Sequence, residues 1–152
     1  MPEIDSELEL ALNYLDHNKD ESLKRLFDIL KMPSISTQEK YSKDCLDAAN
    51  WFVEQLQDIG FDASIRETNG HPMVVAHFEQ EGPHFLFYGH YDVQPIDPIE
   101  LWNHDPFEPK IEKSHNGEII KARGASDHKG QIMTFIEASR AHIKTSGTLP
   151  CK

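Results

Sequence analysis

Two side chains able to bind metals or move protons, His90 and Asp92, follow the apolar run at residues 85–88. Side chains two positions apart in an extended chain point to the same face, so both groups are expected together beyond a strand end. A carboxylate can accept one ring N–H of a histidine, which leaves the other ring nitrogen free to bind a metal ion. The alternative, more frequent for an isolated His-x-Asp, is that Asp92 caps a turn and His90 lies on the surface.

A second candidate lies at residues 121–131, KARGASDHKGQ, where a β-like run ends and a helix is predicted to begin at about His128. Small residues in this turn allow the backbone to pass close to a site, and Asp127 offers a carboxylate to a divalent ion. The competing interpretation is that Ser126 or Asp127 is simply the N-cap of the helix.

Helical spacing of apolar residues predicts three amphipathic helices before residue 60. Pro33 ends the second of them, and Ser36 with Glu39 is interpreted as a capping box that begins the third. Gly60 is predicted to close the third helix as a C-cap. The apolar positions are Ile4, Leu8, Ala11, Leu12 and Leu15 in the first, Leu23, Leu26, Phe27 and Leu30 in the second, and Cys45, Ala49, Phe52, Leu56 and Ile59 in the third.

Short runs of β-forming residues follow, and they predict strands at 63–67, 73–79 and 84–89, with a hairpin-like stretch at 111–122. A last helix carries Ile132, Phe135, Ile136 and Ile143 on one face. Helices, then strands, then a helix predict an α/β protein, and sites in open α/β sheets lie at the carboxyl ends of strands. No internal repeat or low-complexity linker indicates a second domain.

Length and composition favour an acidic globular protein of 152 residues with 38% hydrophobic residues and a formal net charge of -11. No Lys/Arg cluster is present, which argues against nucleic-acid binding. The first residues have no signal-peptide pattern, and no apolar run is long enough to cross a membrane, so no membrane association is expected. Cys45 and Cys151 lie far apart in sequence and form no metal-type pair, which suits the cytoplasm.

Three ordered motifs are more specific together than either candidate alone: YGHYDVQP at 88–95, W-x-x-DPFEP at 102–109, and RGASDHKGQ at 123–131 followed by MTFIEA. With these motifs the chain resembles the amino-terminal part of the M20 family of metallopeptidases, most closely its dipeptidase (carnosinase-like) branch. The resemblance implies a partial zinc-exopeptidase-like α/β domain, in which helices flank a central, mostly parallel or mixed sheet that is truncated at the C-terminus.

The resemblance also implies roles at three matching positions. His90 would be a ligand to one zinc ion, Asp127 would bridge two zinc ions, and Asp92 would be the catalytic-site residue that orients His90. Cobalt or manganese could replace zinc. His128 stands where an acidic residue is frequent in the family and is not interpreted as a ligand. The complete protein is expected to be a homodimeric hydrolase that cleaves dipeptides or other short peptides.

The family pattern continues beyond LPCK into a strand that ends in a Glu-Glu pair, and this chain contains no Glu-Glu dipeptide. Residues 1–152 are therefore interpreted as the amino-terminal part of the catalytic domain, without the dimerisation domain, inactive alone and weak in metal binding. Two alternatives stay open: an N-acyl amino acid amidase of the same family, and a non-catalytic remnant or binding module. The remaining histidines are interpreted as surface or core residues: His17, His71, His77, His84, His104, His115 and His142.

Overall fold

The computed structural model describes residues 6–115 and 117–152, and it shows a mixed arrangement of four α-helices and four strands in these ranges. Ile4, assigned above to the first helix, lies outside the described residues. None of the described helices is long and apolar enough to cross a membrane. The elements are α1 Ser6–His17, α2 Lys19–Leu30, α3 Ser42–Asp58, β1 Asp62–Arg66, β2 Met73–His77, β3 Lys110–Ser114, β4 Gly117–Lys121 and α4 Lys129–Ser146, with 3-10 turns at Glu39–Tyr41 and Ile99–Leu101.

The core forms where the apolar face of α3 meets the end of α2, the start of β1 and one face of α4. Its buried members are Ile29, Ala48, Phe52, Leu56, Ile59, Ala63, Met133 and Ile136. The helical spacing therefore predicted the inner face of α3 correctly. In α1 only Ala11 is buried, and the neighbouring leucines Leu8 and Leu12 are exposed, so α1 covers the core with a narrow stripe.

Gly60 closes α3 as its sequence position predicts. Gly60 has a φ of +94°, a left-handed conformation that glycine adopts without a steric penalty. Its N–H donates to the carbonyl of Gln57 at 2.9 Å, and the N–H of Phe61 donates to that of Leu56 at 3.0 Å. This pair of bonds is a Schellman motif, which satisfies the last carbonyls of the helix and turns the chain into β1.

The predicted capping box at the start of the third helix is wrong. The helix begins at Ser42 after a 3-10 turn, and no side-chain hydrogen bond caps it. The hydroxyl of Ser36 instead donates to Oδ2 of Asp92 at 2.5 Å. A tertiary partner 56 residues away has replaced the local one that the spacing suggested.

Both sheets are antiparallel hairpins. Strands β1 and β2 pair with Ser64 opposite Val75, and β3 and β4 pair with Glu112 opposite Ile119. The α/β class and the hairpin-like stretch are thus confirmed. The described residues do not, however, contain the expected central parallel or mixed sheet.

The predicted strand at 84–89 does not form a ladder among the described residues. Phe85 N–H donates to the carbonyl of Lys152 at 2.7 Å, and Lys152 N–H donates to that of Pro83 at 3.0 Å, the bond pattern of a parallel pair. Lys152 is the single residue that pairs with this run, so the rest of 84–89 has no neighbouring backbone among the described residues with which to form a strand. The apolar run consequently stays open, and Leu86 is 86% exposed.

A buried charge network, which no spacing of residues predicted, joins three helices. Arg25 of α2 donates to the two carboxylate oxygens of Glu137 of α4 through Nε and Nη2, each at 2.7 Å, and Ser22 Oγ donates at 2.7 Å. Glu137 is only 7% exposed. Arg140 Nη1 extends the network to Asp58 of α3 at 2.5 Å. Burial raises the pKa of Glu137, but the bonds from Arg25 and Ser22 outweigh it and lower that pKa below its ordinary 4.5.

The substitution Glu137→Gln should destabilise the fold at pH 7 by about 3 kcal/mol, because it leaves the charge of Arg25 without its carboxylate and that of Arg140 with Asp58 alone. The lowered pKa means that the ionised carboxylate stabilises the fold above pH 4.5, and that this contribution is lost as the pH falls through the folded-state value. Urea denaturation of the variant and the wild type, at pH 7 and well below pH 4.5, measures the difference in the free energy of unfolding. This difference should be smaller at the acidic pH. Glu54→Gln, on an exposed part of α3, is the control. Equal stability of the Glu137→Gln variant and the wild type at pH 7 would refute this account.

Candidate metal centre

The backbone around His90 and Asp92 is held by the loop at residues 33–36. The hydroxyl of Ser34 donates to the carbonyl of Tyr91 at 2.7 Å, and Val93 N–H donates to the carbonyl of Ser34 at 2.9 Å. Ile35 and Val93 form an isolated parallel bridge, and both are buried. The two polar side chains are therefore presented from a fixed stretch of chain, although that stretch is not part of a regular strand.

The structure brings His90, Asp92 and Asp127 together. Nδ1 of His90 lies 3.0 Å from Oδ1 of Asp92 and 3.2 Å from the carbonyl oxygen of Asp92. Nε2 of the same ring lies 3.1 Å from Oδ1 of Asp127, which comes from the second motif 37 residues later. The side chains of His90 and Asp92 are each 38% exposed and that of Asp127 is 74% exposed, so the group opens to solvent on the Asp127 side.

A neutral imidazole has one N–H, so it can donate to only one of these two carboxylates. If Nδ1–H donates to Asp92, the lone pair of His90 Nε2 faces the oxygen of Asp127, and a cation between them would stabilise the pair. Zinc bonds to nitrogen and oxygen are about 2.0–2.2 Å long, so two ligands of a tetrahedral ion lie about 3.4 Å apart. The observed 3.1 Å is close to that spacing, and the donor set fits zinc.

A lysine that the sequence motifs did not single out holds the start of α4, two residues after Asp127. Lys129 is fully buried, and its Nζ donates to the carbonyls of Ile29 at 3.0 Å and Met32 at 2.6 Å, at the end of α2. Burial lowers the pKa of Lys129 to about 7. Either protonation state retains the two N–H groups that these bonds use. Its partners are backbone carbonyls about 100 residues earlier, so no spacing pattern predicted this lysine.

His128 lies beside the candidate site. Its ring stacks on the ring of His90, with centroids 5.0 Å apart and planes inclined by 22°, and the peptide bond between Asp127 and His128 is cis. Its Nδ1 is buried without a hydrogen-bond partner. Parallel stacked rings pack by their faces and do not direct their nitrogens to one point. Within residues 6–115 and 117–152, no three His, Cys, Asp or Glu side chains group closely enough to hold a metal.

A cleft of about 770 Å³ adjoins the three residues and is lined by both His90 and Asp92. Aromatic side chains form much of its wall, including Phe87 and Phe135, whose rings stack with centroids 4.1 Å apart. A cleft of this volume with polar groups at one side is of the size that small-molecule sites have.

Comparison with known proteins identifies the segment that carries both motifs. Residues 86–151 match peptidase family M20/M25/M40. The matched segment is less than half of the 152 residues, and it contains His90, Asp92 and Asp127. The resemblance to M20 metallopeptidases that the motifs indicated is thereby confirmed.

Relatives extend the M20 similarity over nearly the whole chain. The Cys-Gly metallodipeptidase DUG1 of Candida albicans is 28% identical over 94% of this chain and 32% of its own length. A succinyl-diaminopimelate desuccinylase of Thioalkalivibrio sulfidiphilus is 37% identical over 60% of this chain and 23% of its own length. The chain thus spans about a third or less of the curated relatives that it matches.

Solved structures of M20 dipeptidases share the fold. The dipeptidase Dug1p from Saccharomyces cerevisiae aligns with a TM-score of 0.80 at 28% identity, over 93% of this chain and 32% of that one. Human carnosine dipeptidase 1 aligns with a TM-score of 0.83 at 24% identity, over 97% of this chain and 33% of that one, which shows the fold alone. The α/β class is confirmed by these alignments.

Substitution of Gly130 should disturb the turn that carries Asp127. A Cβ at Gly130 would lie 2.0 Å from the carbonyl oxygen of Ala125, a backbone atom that can move only with the turn itself. Gly130→Ala should therefore lower the free energy of unfolding by about 3 kcal/mol, the upper end of the usual cost of overpacking. Gly70→Ala, where the nearest contact is 3.9 Å, is the matched control in urea denaturation. Equal effects of both substitutions would contradict this assignment.

Proposed function

We propose that the chain supplies part of the metal centre of an M20-type dipeptidase, whose complete form hydrolyses dipeptides or other short peptides. Residues 1–152 would be the amino-terminal part of its catalytic domain. The observation that carries the proposal is the placement of His90 between two carboxylates, one from each of two motifs distant in sequence. The dipeptidase names of the relatives support the substrate class.

Each of the three residues has a separate part in this proposal. His90 would bind zinc through Nε2, and Asp127 would offer its carboxylate to the same ion and to a second one. Asp92 would hold the Nδ1–H of His90, so that Nε2 keeps its lone pair for the metal. Bound zinc would supply Lewis-acid polarisation of the scissile carbonyl. Cobalt or manganese would serve the same N/O donors.

The wider setting of the complete protein is also proposed. The scattered cysteines, both unpaired in the structure, suit the cytoplasm, and the family resemblance implies a homodimer. A small peptide is the expected substrate. The aromatic cleft beside His90 supports this, because it offers apolar surface for side chains next to the proposed metal ligands.

A second candidate reaction is removal of an acyl group from an amino-acid nitrogen. It is favoured by the similarity to succinyl-diaminopimelate desuccinylases, which reaches 37% identity over 60% of the chain. The bond cleaved is again an amide, so the same metal chemistry would serve. Rates on a dipeptide and on an acetylated amino acid, measured with the complete protein, distinguish the two, and faster hydrolysis of the acetylated compound would favour the amidase.

Replacement of His90 by alanine in the complete protein should reduce kcat/KM for a dipeptide by more than about 100-fold. Loss of a metal ligand should reduce activity by more than the 10- to 100-fold that changes in the outer shell cause. His115→Ala in the β3–β4 turn, where the side chain is exposed, is the matched histidine control. Near-normal kinetics of the His90→Ala variant would rule out the proposed ligand role.

Zinc binding by residues 1–152 themselves should be weak, because catalytic zinc takes about three protein ligands and the proposed centre offers His90 and Asp127 here. Calorimetric titration should show a single weak event that His90→Ala or Asp127→Asn removes and His115→Ala leaves in place. Tight binding of two ions by this chain would contradict the count of ligands.

A further inference from the structure

The two oxygens of the Asp92 carboxylate have different partners. Oδ1 lies 3.0 Å from Nδ1 of His90, and Oδ2 accepts the hydrogen bond of Ser36 Oγ at 2.5 Å. A serine hydroxyl has one hydrogen to donate, and this bond directs it to Asp92. Rotation of the carboxylate about its terminal bond would change the geometry of both contacts at once, so Ser36 and His90 together fix its plane.

Ser36 is itself held from the other side of the site. Nε2 of His71, in the turn between β1 and β2, lies 2.8 Å from the carbonyl oxygen of Ser36 and must donate to it. The phenol of Tyr91 donates to the carbonyl of Pro72 in the same turn. Burial, with smaller effects from Cys45 and Asp92, raises the pKa of Tyr91 to about 12, so the phenol remains a donor.

Three segments therefore close a ring of contacts around Asp92: the loop at 33–36, the turn at 70–72 and the stretch at 90–93. Apart from His90 itself, Ser36 is the member of that ring whose side chain contacts the Asp92 carboxylate. Asp92 is 38% exposed, so water would compete for Oδ2 if the hydroxyl were removed. Without Ser36 the carboxylate keeps its charge but loses the contact that aligns Oδ1 with the imidazole.

We propose that Ser36 is a positioning residue of the metal centre, which aligns Asp92 so that His90 carries its proton on Nδ1 and presents the lone pair of Nε2. The relevance to catalysis rests on the proposed function. The tautomer of His90, however, is a property of the metal-free chain, since a neutral imidazole can place its proton on either nitrogen. Both nitrogens lie near a carboxylate, but that of Asp127 is 74% exposed, whereas that of Asp92 is held by Ser36, so the fixed acceptor favours the proton on Nδ1.

The first experiment reads the tautomer of His90 by ¹⁵N NMR of the zinc-free protein at about pH 8, above the usual histidine pKa. The wild type should show the Nδ1–H form. Ser36→Ala should give a mixture of both forms, and Ser36→Thr, which keeps the hydroxyl, should restore the wild-type signal. Ser34→Ala is the matched control from the same loop. It removes the 2.7 Å hydrogen bond from Ser34 to the backbone of Tyr91 and leaves the contact between Ser36 and Asp92 in place.

The second experiment measures zinc affinity by calorimetry for the same variants. Ser36→Ala should bind zinc about tenfold more weakly, the lower end of the effect of outer-shell changes, while Ser36→Thr should stay near the wild type and Ser34→Ala should lose less affinity than Ser36→Ala. An unchanged His90 tautomer and unchanged affinity in Ser36→Ala would overturn the proposal. Equal changes in Ser34→Ala would also overturn it, because they would show a general effect of loosening the loop.

Failure of the metal-centre proposal would look different from failure of this inference. If His90→Ala left zinc binding intact, the proposed ligand role would fall, whereas a tautomer change confined to Ser36→Ala would still establish that Ser36 controls His90.

Discussion

The buried amine of Lys129 is the contact on which the arrangement of the site depends. It lies at the first residue of α4 and donates to the carbonyls of Ile29 and Met32, where α2 ends. Helix C-termini carry partial negative charge from unpaired carbonyls, so a cationic or neutral amine donor is favoured there. This one contact sets the start of α4 against the end of α2, and Asp127 lies two residues before it.

The part of the site that contains His90 and Asp92 is held by the same region, the chain just after α2. Ile35 forms its bridge with Val93 in the loop at 33–36, and the carbonyl of Met32 that accepts from Lys129 lies just before that loop. The support of His90 and that of Asp127 thus share one short stretch of chain, residues 29–36. Two motifs 37 residues apart converge because both are tied to this stretch, and the exposed carboxylate of Asp127 needs little packing of its own.

Sequence patterns predicted the features that depend on local periodicity and on single conformational requirements. The inner face of α3, the left-handed Gly60 and the helix beginning beside His128 are of this kind. The motifs also selected the three polar residues that converge. The misplaced capping box shows the limit, because Ser36 had a local partner in Glu39 and a distant one in Asp92, and spacing reports only the first. The apolar run at 84–89 likewise has strand composition, but a strand also needs neighbours. Lys129 and Glu137 were missed because their partners are backbone carbonyls and arginines that no spacing rule connects to them.

The charge network constrains the order in which parts of the chain can fold. Glu137 and its partner Arg25 are 112 residues apart, and Lys129 is 100 residues from the Ile29 carbonyl that it binds. Such long loops must close before the contacts can form, which slows folding relative to local structure. During synthesis from the amino terminus, α2 is made long before Glu137 and Lys129, the partners of its Arg25 side chain and of its last carbonyls. These contacts can form only after the first half of α4, Lys129 to Glu137, has followed.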